Sequence, residues 1–265
     1  NLGAYLILMN GNRQWFSVRR GEDLDTVKVS SFKPGFIAEM SGNNFDLFFE
    51  TAFRSNTIKD VDSLFSVTAK KWYPYDSKQS GRGLYFSGSF FPGQWGVTVE
   101  LKDYLFDTSS PEKRVHLPFR LGRSSLVYGP PSGFREHTST LLSRTPHIMD
   151  PEDELGFQIE FNSQVNDNLF LIVNYARSSR HSAFVNEVDE QNNSTLRKKD
   201  HAQVFVPRTD NEFYPFHEGY AEVNYSYDQL MFTTGLSHSS EVMLYSALNV
   251  YGAGSSGWES ERSKL

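Results

Sequence analysis

The feature that most constrains this chain is a two-residue alternation that breaks at a polar turn and then resumes, over Gly156–Ala176, GFQIEFNSQVNDNLFLIVNYA. In the first arm Phe157, Ile159 and Phe161 share one side, and Gln158, Glu160 and Asn162 share the other. In the second arm Leu169, Leu171, Val173 and Tyr175 lie together, with Asn174 on the opposite side. Successive side chains of a strand point to opposite faces, so a period of two predicts a strand and two such arms predict a β-hairpin. The turn Gln164–Asn168 is rich in Asn and Asp, which tolerate left-handed angles and hydrogen-bond to nearby backbone.

The same unit recurs along the chain. Phe36–Met40 and Phe45–Phe53 flank the turn Ser41-Gly42-Asn43-Asn44; Leu84–Phe91 and Trp95–Leu105 flank Pro92-Gly93-Gln94; Tyr220–Tyr227 and Leu230–Ser237 meet at Asp228. Ala4–Met9 runs into Asn10-Gly11, the dipeptide that most favours a two-residue turn, and this predicts an opening hairpin with Gln14–Arg20. Leu24–Ser31 reads as a further strand, Val242–Tyr251 as the last one, and Gly252–Gly257 as a flexible exit.

Between these units the connections alternate between tight and extended. The long ones are near 55–82, 107–150 and 178–215. The first exceeds the usual length of a structureless loop and predicts a hidden strand at Leu64–Ala69. The second holds Pro111, Pro118, Pro130, Pro131 and Pro146, a density that forbids continuous central strands. It also carries Arg114, Arg120, Arg123, Arg135 and Arg144, as a segment folding inward to a constriction or outward as a cap would. The third reads as a solvated loop with a basic cluster at Arg197, Lys198 and Lys199.

No stretch approaches the ~18 consecutive apolar residues of a transmembrane helix. Mean hydropathy is −0.49 although 15 % of residues are aromatic, because apolar and polar residues alternate instead of segregating. Alternation of this kind is invisible to hydropathy averaging and is how a transmembrane β-barrel reads. Arms of about 9–12 residues have the length of a tilted membrane-crossing strand. Trp95, Tyr104, Tyr175, Tyr220, Tyr227 and Tyr251 near the arm ends match interfacial girdles.

Two segments carry a resemblance. Gly81–Phe106, GRGLYFSGSFFPGQWGVTVELKDYLF, and Pro130–Phe161, PPSGFREHTSTLLSRTPHIMDPEDELGFQIEF, are similar to a family of uncharacterised outer-membrane β-barrel proteins of Bacteroidota and related phyla. The resemblance covers about the middle half of the chain and implies fold and location, with no catalytic residues. Members of that family are longer than these 265 residues.

The chemistry-bearing residues point away from catalysis. Cysteine is absent, which removes disulfides, thiolate zinc sites and thiol nucleophiles. His116, His137, His147, His181, His201, His217 and His238 are scattered without metal-ligand spacing. No nucleophile elbow and no phosphate-binding glycine loop is present. The acidic cluster Asp150, Glu152, Asp153 and Glu154 is the candidate metal site, an oxygen-rich group without the EF-hand spacing; Glu187, Asp189 and Glu190 form a smaller one. A net charge of −6 argues against nucleic acid as a partner. Trp72, Tyr73 and Tyr75 form an aromatic cluster suited to an interfacial anchor or a stacking platform.

The expectation is therefore a single all-β domain over residues 1–265, an antiparallel up-and-down transmembrane β-barrel, whole or part of a larger one. It has short periplasmic turns, long extracellular loops and about ten to twelve strands. Its lumen-lining side is Asp46, Glu50, Arg54, Thr98, Glu100, Lys102, Gln158, Glu160, Asn162, Glu222 and Asn224, with Asn174 beside them. The expected location is the outer membrane of a Gram-negative bacterium. The expected role is a pore or transporter, or the membrane anchor of a surface complex. Outer-membrane lipid and other envelope proteins or a plug are the partners; no cofactor and no enzymatic activity are expected. The alternative is a secreted soluble β-rich module binding carbohydrate or protein. The chain starts at Asn1 without Met and is expected to be a processed or partial polypeptide.

Overall fold

The computed structural model describes residues 1–16, 24–59, 64–66, 71–73, 77–106, 153–188, 194–200, 206–247 and 255–262. Fourteen strands follow in chain order: β1 Leu2–Phe16, β2 Leu24–Ser41, β3 Phe45–Lys59, β4 Leu64–Ser66, β5 Lys71–Tyr73, β6 Ser77–Phe90 and β7 Trp95–Phe106. Then come β8 Asp153–Asn166, β9 Leu169–Ser179, β10 Ser182–Val188, β11 Ser194–Asp200, β12 Phe216–Tyr227, β13 Leu230–Ala247 and β14 Ser255–Arg262. One 3-10 turn, Asn211–Phe213, precedes β12.

Ten strands form one antiparallel sheet in the order β1-β2-β3-β6-β7-β8-β9-β12-β13-β14. Each strand pairs with the next in the chain once the two small hairpins, β4–β5 and β10–β11, are set aside as insertions. This is the up-and-down meander that the alternation predicts. The sheet is open: no pairing joins β1 to β14, so a closed barrel is not formed by the described residues.

The tight turns all lie at one end and dock on each other. Phe91 donates to the Asn44 carbonyl at 2.8 Å, Gln164 to Gln94 at 2.7 Å and Ser226 to Asn168 at 2.8 Å. Asp228 supports its two-residue turn with φ 53°, a left-handed angle that Asp accepts at low cost. Every long connection leaves from the opposite end.

Several expectations are corrected. Asn10-Gly11 does not turn: β1 runs through it, with Asn10 opposite Ser30 and Gly11 opposite Val29. Fifteen paired positions with β2 outweigh the local turn preference of one dipeptide. The segments Leu24–Ser31 and Phe36–Met40 are one strand, β2, which passes through Pro34; the pairing to β3 skips Lys33 and Pro34, where the proline has no N–H to offer. The hidden strand in 55–82 is the short β4, hydrogen-bonded to β5, which contains Trp72 and Tyr73. The loop 178–215 holds the β10–β11 hairpin, which contains Glu187. β13 does not stop at Ser237 but continues to Ala247, and the last strand is β14, where a flexible exit was expected. The expected features at 107–150, with Asp150 and Glu152, and Tyr75, Asp189 and Glu190 lie outside the described residues.

The polarity of the sheet is inverted relative to a protein folded in water. One face carries Leu6, Leu8, Phe32, Phe36, Phe53, Trp95, Ile159, Val173, Tyr175, Tyr225, Phe232 and Leu236, all exposed. The other carries Lys102, Glu154, Gln158, Asn174 and Glu222, all buried. On β3 the apolar positions Phe45, Leu47, Phe49 and Phe53 extend about 26 Å along the strand at the usual rise. At the tilt of barrel strands that is about 20 Å of depth, close to the ~25 Å apolar band of a membrane barrel. Beyond this band, toward the long connections, the same face turns polar: Asn10, Ser30, Ser55, Arg82, Asp103, Asp153, Arg177, His217 and His238.

Candidate functional site

The polar face is the candidate site. Register places Asp46, Glu50, Arg54, Thr98, Glu100, Lys102, Gln158, Glu160, Asn162, Asn174, Glu222 and Asn224 on one side of the sheet, as their sequence parity predicts. Opposite pairs include Thr98 with Glu160, Glu100 with Gln158, and Glu160 with Asn174.

These side chains are held by one another. The Lys102 ammonium meets Glu154 Oε1 at 2.5 Å, and both side chains are almost fully buried, at 3 % and 4 % exposure. Removing two charges from water costs several kcal/mol each, so the pair depends on close mutual contact. Gly156 permits it: a Cβ there would meet Lys102 Cε at 3.0 Å and the Arg177 carbonyl at 2.9 Å. The Tyr85 hydroxyl donates to Glu100 at 2.6 Å, and the Tyr5 hydroxyl to Glu50 at 2.8 Å. Tyr5 sits on β1 and Glu50 on β3; Gly35 between them leaves the space the Tyr5 ring occupies. Tyr220 donates to Glu222, which also accepts from Asn224 Nδ2 at 2.7 Å. Ser89 and Thr98 share a hydrogen bond at 2.9 Å.

The expected set missed the phenols, and Tyr104 and Tyr220, expected in an interfacial girdle, are instead buried on this polar face. Tyr5, Tyr85 and Tyr220 each anchor a carboxylate of this face, and their parity within β1, β6 and β12 is the signal that locates them. Three buried polar atoms, Tyr104 Oη, Gln158 Oε1 and Asn174 Nδ2, have no hydrogen-bond partner among the described residues. Such groups cost about 1–3 kcal/mol each unless water reaches them.

The acidic candidate cluster is divided. Asp153 and Glu154 are adjacent in β8 and point to opposite faces, Glu154 toward Lys102 and Asp153 toward His181. Each therefore has its own partner, Lys102 for Glu154 and His181 for Asp153, and the two do not form a shared oxygen cage. Among the described residues no group of three or more His, Asp or Glu side chains is arranged to hold a metal ion.

A second cluster sits on the opposite face beyond the apolar band and ties the long connection after β9 to the sheet. His181 Nδ1 lies 3.1 Å from Asp153 Oδ1 and Nε2 lies 3.1 Å from Asp103 Oδ1, both carboxylates being buried. The His181 backbone N–H also donates to Asp153 Oδ1 at 3.0 Å, and Arg82 pairs with Asp103 at 3.2 Å. The connection folds back on itself here. Arg180 N donates to the Phe213 carbonyl at 2.7 Å, Arg208 N donates to Ser179 Oγ at 2.9 Å, and the Arg180 guanidinium stacks 3.9 Å over Tyr214. Phe213 is buried at the centre of this clasp. Residues 78 apart in sequence meet in it, so local pattern holds no trace of it.

Comparison with family models, with curated proteins and with solved structures finds no match to this chain.

Proposed function

We propose that this chain is an outer-membrane protein that crosses the bilayer with its strands, alone or as part of a larger barrel, and serves as a membrane anchor with a packed polar interior. The observation that carries the reading is the inverted polarity: large apolar side chains are exposed on one face while charged ones are buried on the other. In water a continuous apolar face of this size would drive association, whereas lipid is its natural solvent. The placement of tight turns at one end and long connections at the other, and the resemblance of Gly81–Phe106 and Pro130–Phe161 to outer-membrane barrels, support the same reading.

Between pore and anchor, the buried inner face favours the anchor. Lys102, Glu154, Gln158, Asn174 and Glu222 are buried, and Lys102 pairs with Glu154 across β7 and β8, where a water-filled channel leaves its lining exposed. The clasp around His181 then offers an ordered surface at the loop end on which a partner can dock.

The test is partition and gel mobility. Membranes from expressing cells are extracted with carbonate, and the detergent-solubilised protein is run boiled and unboiled on a denaturing gel. The anchor reading expects retention in the membrane, faster migration when unboiled, and no steady conductance in planar bilayers. Protein released by carbonate, with no mobility shift, favours the soluble binding module instead; a stable conductance favours the pore.

A further inference from the structure

We propose that a notch on the outward face, floored by Gly219 and rimmed by Arg177, His217 and His238, binds the phosphate of an anionic lipid in the leaflet at the long-connection end. This rests on the membrane reading above. Gly219 lies between Tyr175 on β9 and His238 on β13. A Cβ built on Gly219 meets nothing within 4 Å, so the sheet surface is hollow there. Arg177 is the direct neighbour of His217 across β9 and β12. The His217 and His238 rings stand 6.0 Å apart.

Three groups that can carry positive charge thus converge on one depression, and among the described residues the neighbouring strand positions on this face bring no carboxylate to it. Glu218 and Glu241 sit at alternate positions and so face the other side of the sheet. Burial, and then His238 and Arg177, hold the His217 imidazole below its usual range. Potentially cationic groups crowded in this way gain from an anion placed between them, and a phosphate offers several acceptor oxygens to an Arg and two imidazole N–H groups.

The position selects a lipid as the source of that phosphate. The notch opens outward at the edge of the apolar band, with Tyr175, Val173, Val223 and Leu236 continuing from it toward the turn end. A headgroup in the notch lays its acyl chains on those residues, whereas a free anion makes no use of them. Basic side chains near a membrane surface each add about 1 kcal/mol to the attraction for anionic lipid, roughly fivefold in affinity.

The full chain is tested in nanodiscs of phosphatidylcholine containing a minor share of phosphatidylglycerol. Lipid retained on the protein after transfer to detergent is read by native mass spectrometry, and the mobility shift of the same sample reports insertion. Phosphatidylglycerol is expected to be retained well above its share in the disc. R177Q and G219V are each expected to lower that enrichment by on the order of fivefold with the mobility shift intact. Val at 219 suits an extended strand and fills the hollow, and R177K is expected to keep most of the enrichment. Inorganic phosphate at the lipid's concentration is expected not to displace it. An inserted protein that retains both lipids in their bulk ratio, or an enrichment unchanged in both R177Q and G219V, overturns the proposal and leaves the membrane reading standing. Displacement by inorganic phosphate overturns the lipid assignment in favour of a free anion. Protein that fails to insert overturns both.

Discussion

The two faces of the main sheet are made from the same strands, yet they obey opposite rules. On β8 the outward side reads Phe157, Ile159 and Phe161 and the inward side reads Gln158, Glu160 and Asn162, one residue apart at every step. In a water-soluble sandwich the apolar side would be the covered one. Here Ile159 is exposed and Gln158 is buried, and the same holds for Val173 and Asn174 on β9. The lesson is that at these positions the buried side chain is the polar one and the exposed side chain the apolar one. On the inward side Tyr5, Tyr85 and Tyr220 meet carboxylates, and under the proposed membrane reading the outward groups face a solvent that asks for no hydrogen bonds.

The sharpest way to break the contrast is to remove one half of an inward pair. Lys102→Met leaves Glu154 charged and buried, and a loss of about 3–5 kcal/mol is expected in urea titrations of protein refolded into vesicles. The double change Lys102→Met with Glu154→Met is expected to recover most of that loss, because no unpaired charge remains. A single variant as stable as the parent would mean that water reaches this face freely.

Next in size is a charge on the outward face. Val173→Arg is expected to cost about 2–4 kcal/mol in the same titration if its site faces the bilayer midplane. An exposed valine facing water would tolerate the change within about 0.5 kcal/mol. The two solvents thus give separable numbers from one substitution.

Smaller again is the clasp, which joins the long connection to the outward rim. Asp153→Ala removes both the backbone and the imidazole contact of His181. About 1–3 kcal/mol of local stability should go with them. Limited trypsin digestion of the membrane-bound protein is expected to cut at Arg180 or Arg208 sooner in this variant, since both are held in the clasp. Unaltered cleavage would assign the tethering to the Phe213 packing alone.

The smallest expected effect is on pH. His217 is held below the ordinary imidazole value of 6.5, so without an anion the fold favours its neutral form. Acidification through that range then costs stability, because the unfolded chain takes up the proton more readily. A bound lipid phosphate reverses the sign by favouring the charged ring. Retention of phosphatidylglycerol is therefore expected to rise as pH falls from about 8 to about 5.5, and to lose that slope in His217→Gln. A slope that survives the substitution would show that His217 is not its source.

Much of the contrast was legible in the sequence because its period is two, the same as that of the strand. The pairing of Phe157, Ile159 and Phe161 against Gln158, Glu160 and Asn162 needs no structure to be seen. The tight turns at Asp228 and at Ser41–Asn44 were legible for the same local reason, the side chains that tolerate sharp backbone. Beyond the apolar band legibility fails, since both faces of a strand are polar there. His238–Glu241 reads as a gap between two strands although it lies in the middle of β13. Asn10-Gly11 looks like a turn because its local preference is all a sequence window sees, while the pairing with β2 that overrides it comes from residues about twenty positions away. The His181 clasp was out of reach for the same reason, its partners lying 28 and 78 residues off.

The central claim, that the outward face meets lipid and the inward face does not, can be read residue by residue because the chain has no cysteine of its own. Single cysteines at positions 169 to 176 of β9 are labelled with a fluorophore in vesicles and exposed in turn to brominated lipid and to aqueous iodide. Lipid quenching that alternates, strong at 171, 173 and 175 and weak at 172, 174 and 176, is the expected pattern. Iodide quenching at 171, 173 and 175 with no effect of brominated lipid would show that water covers the apolar face, and the membrane reading would fall.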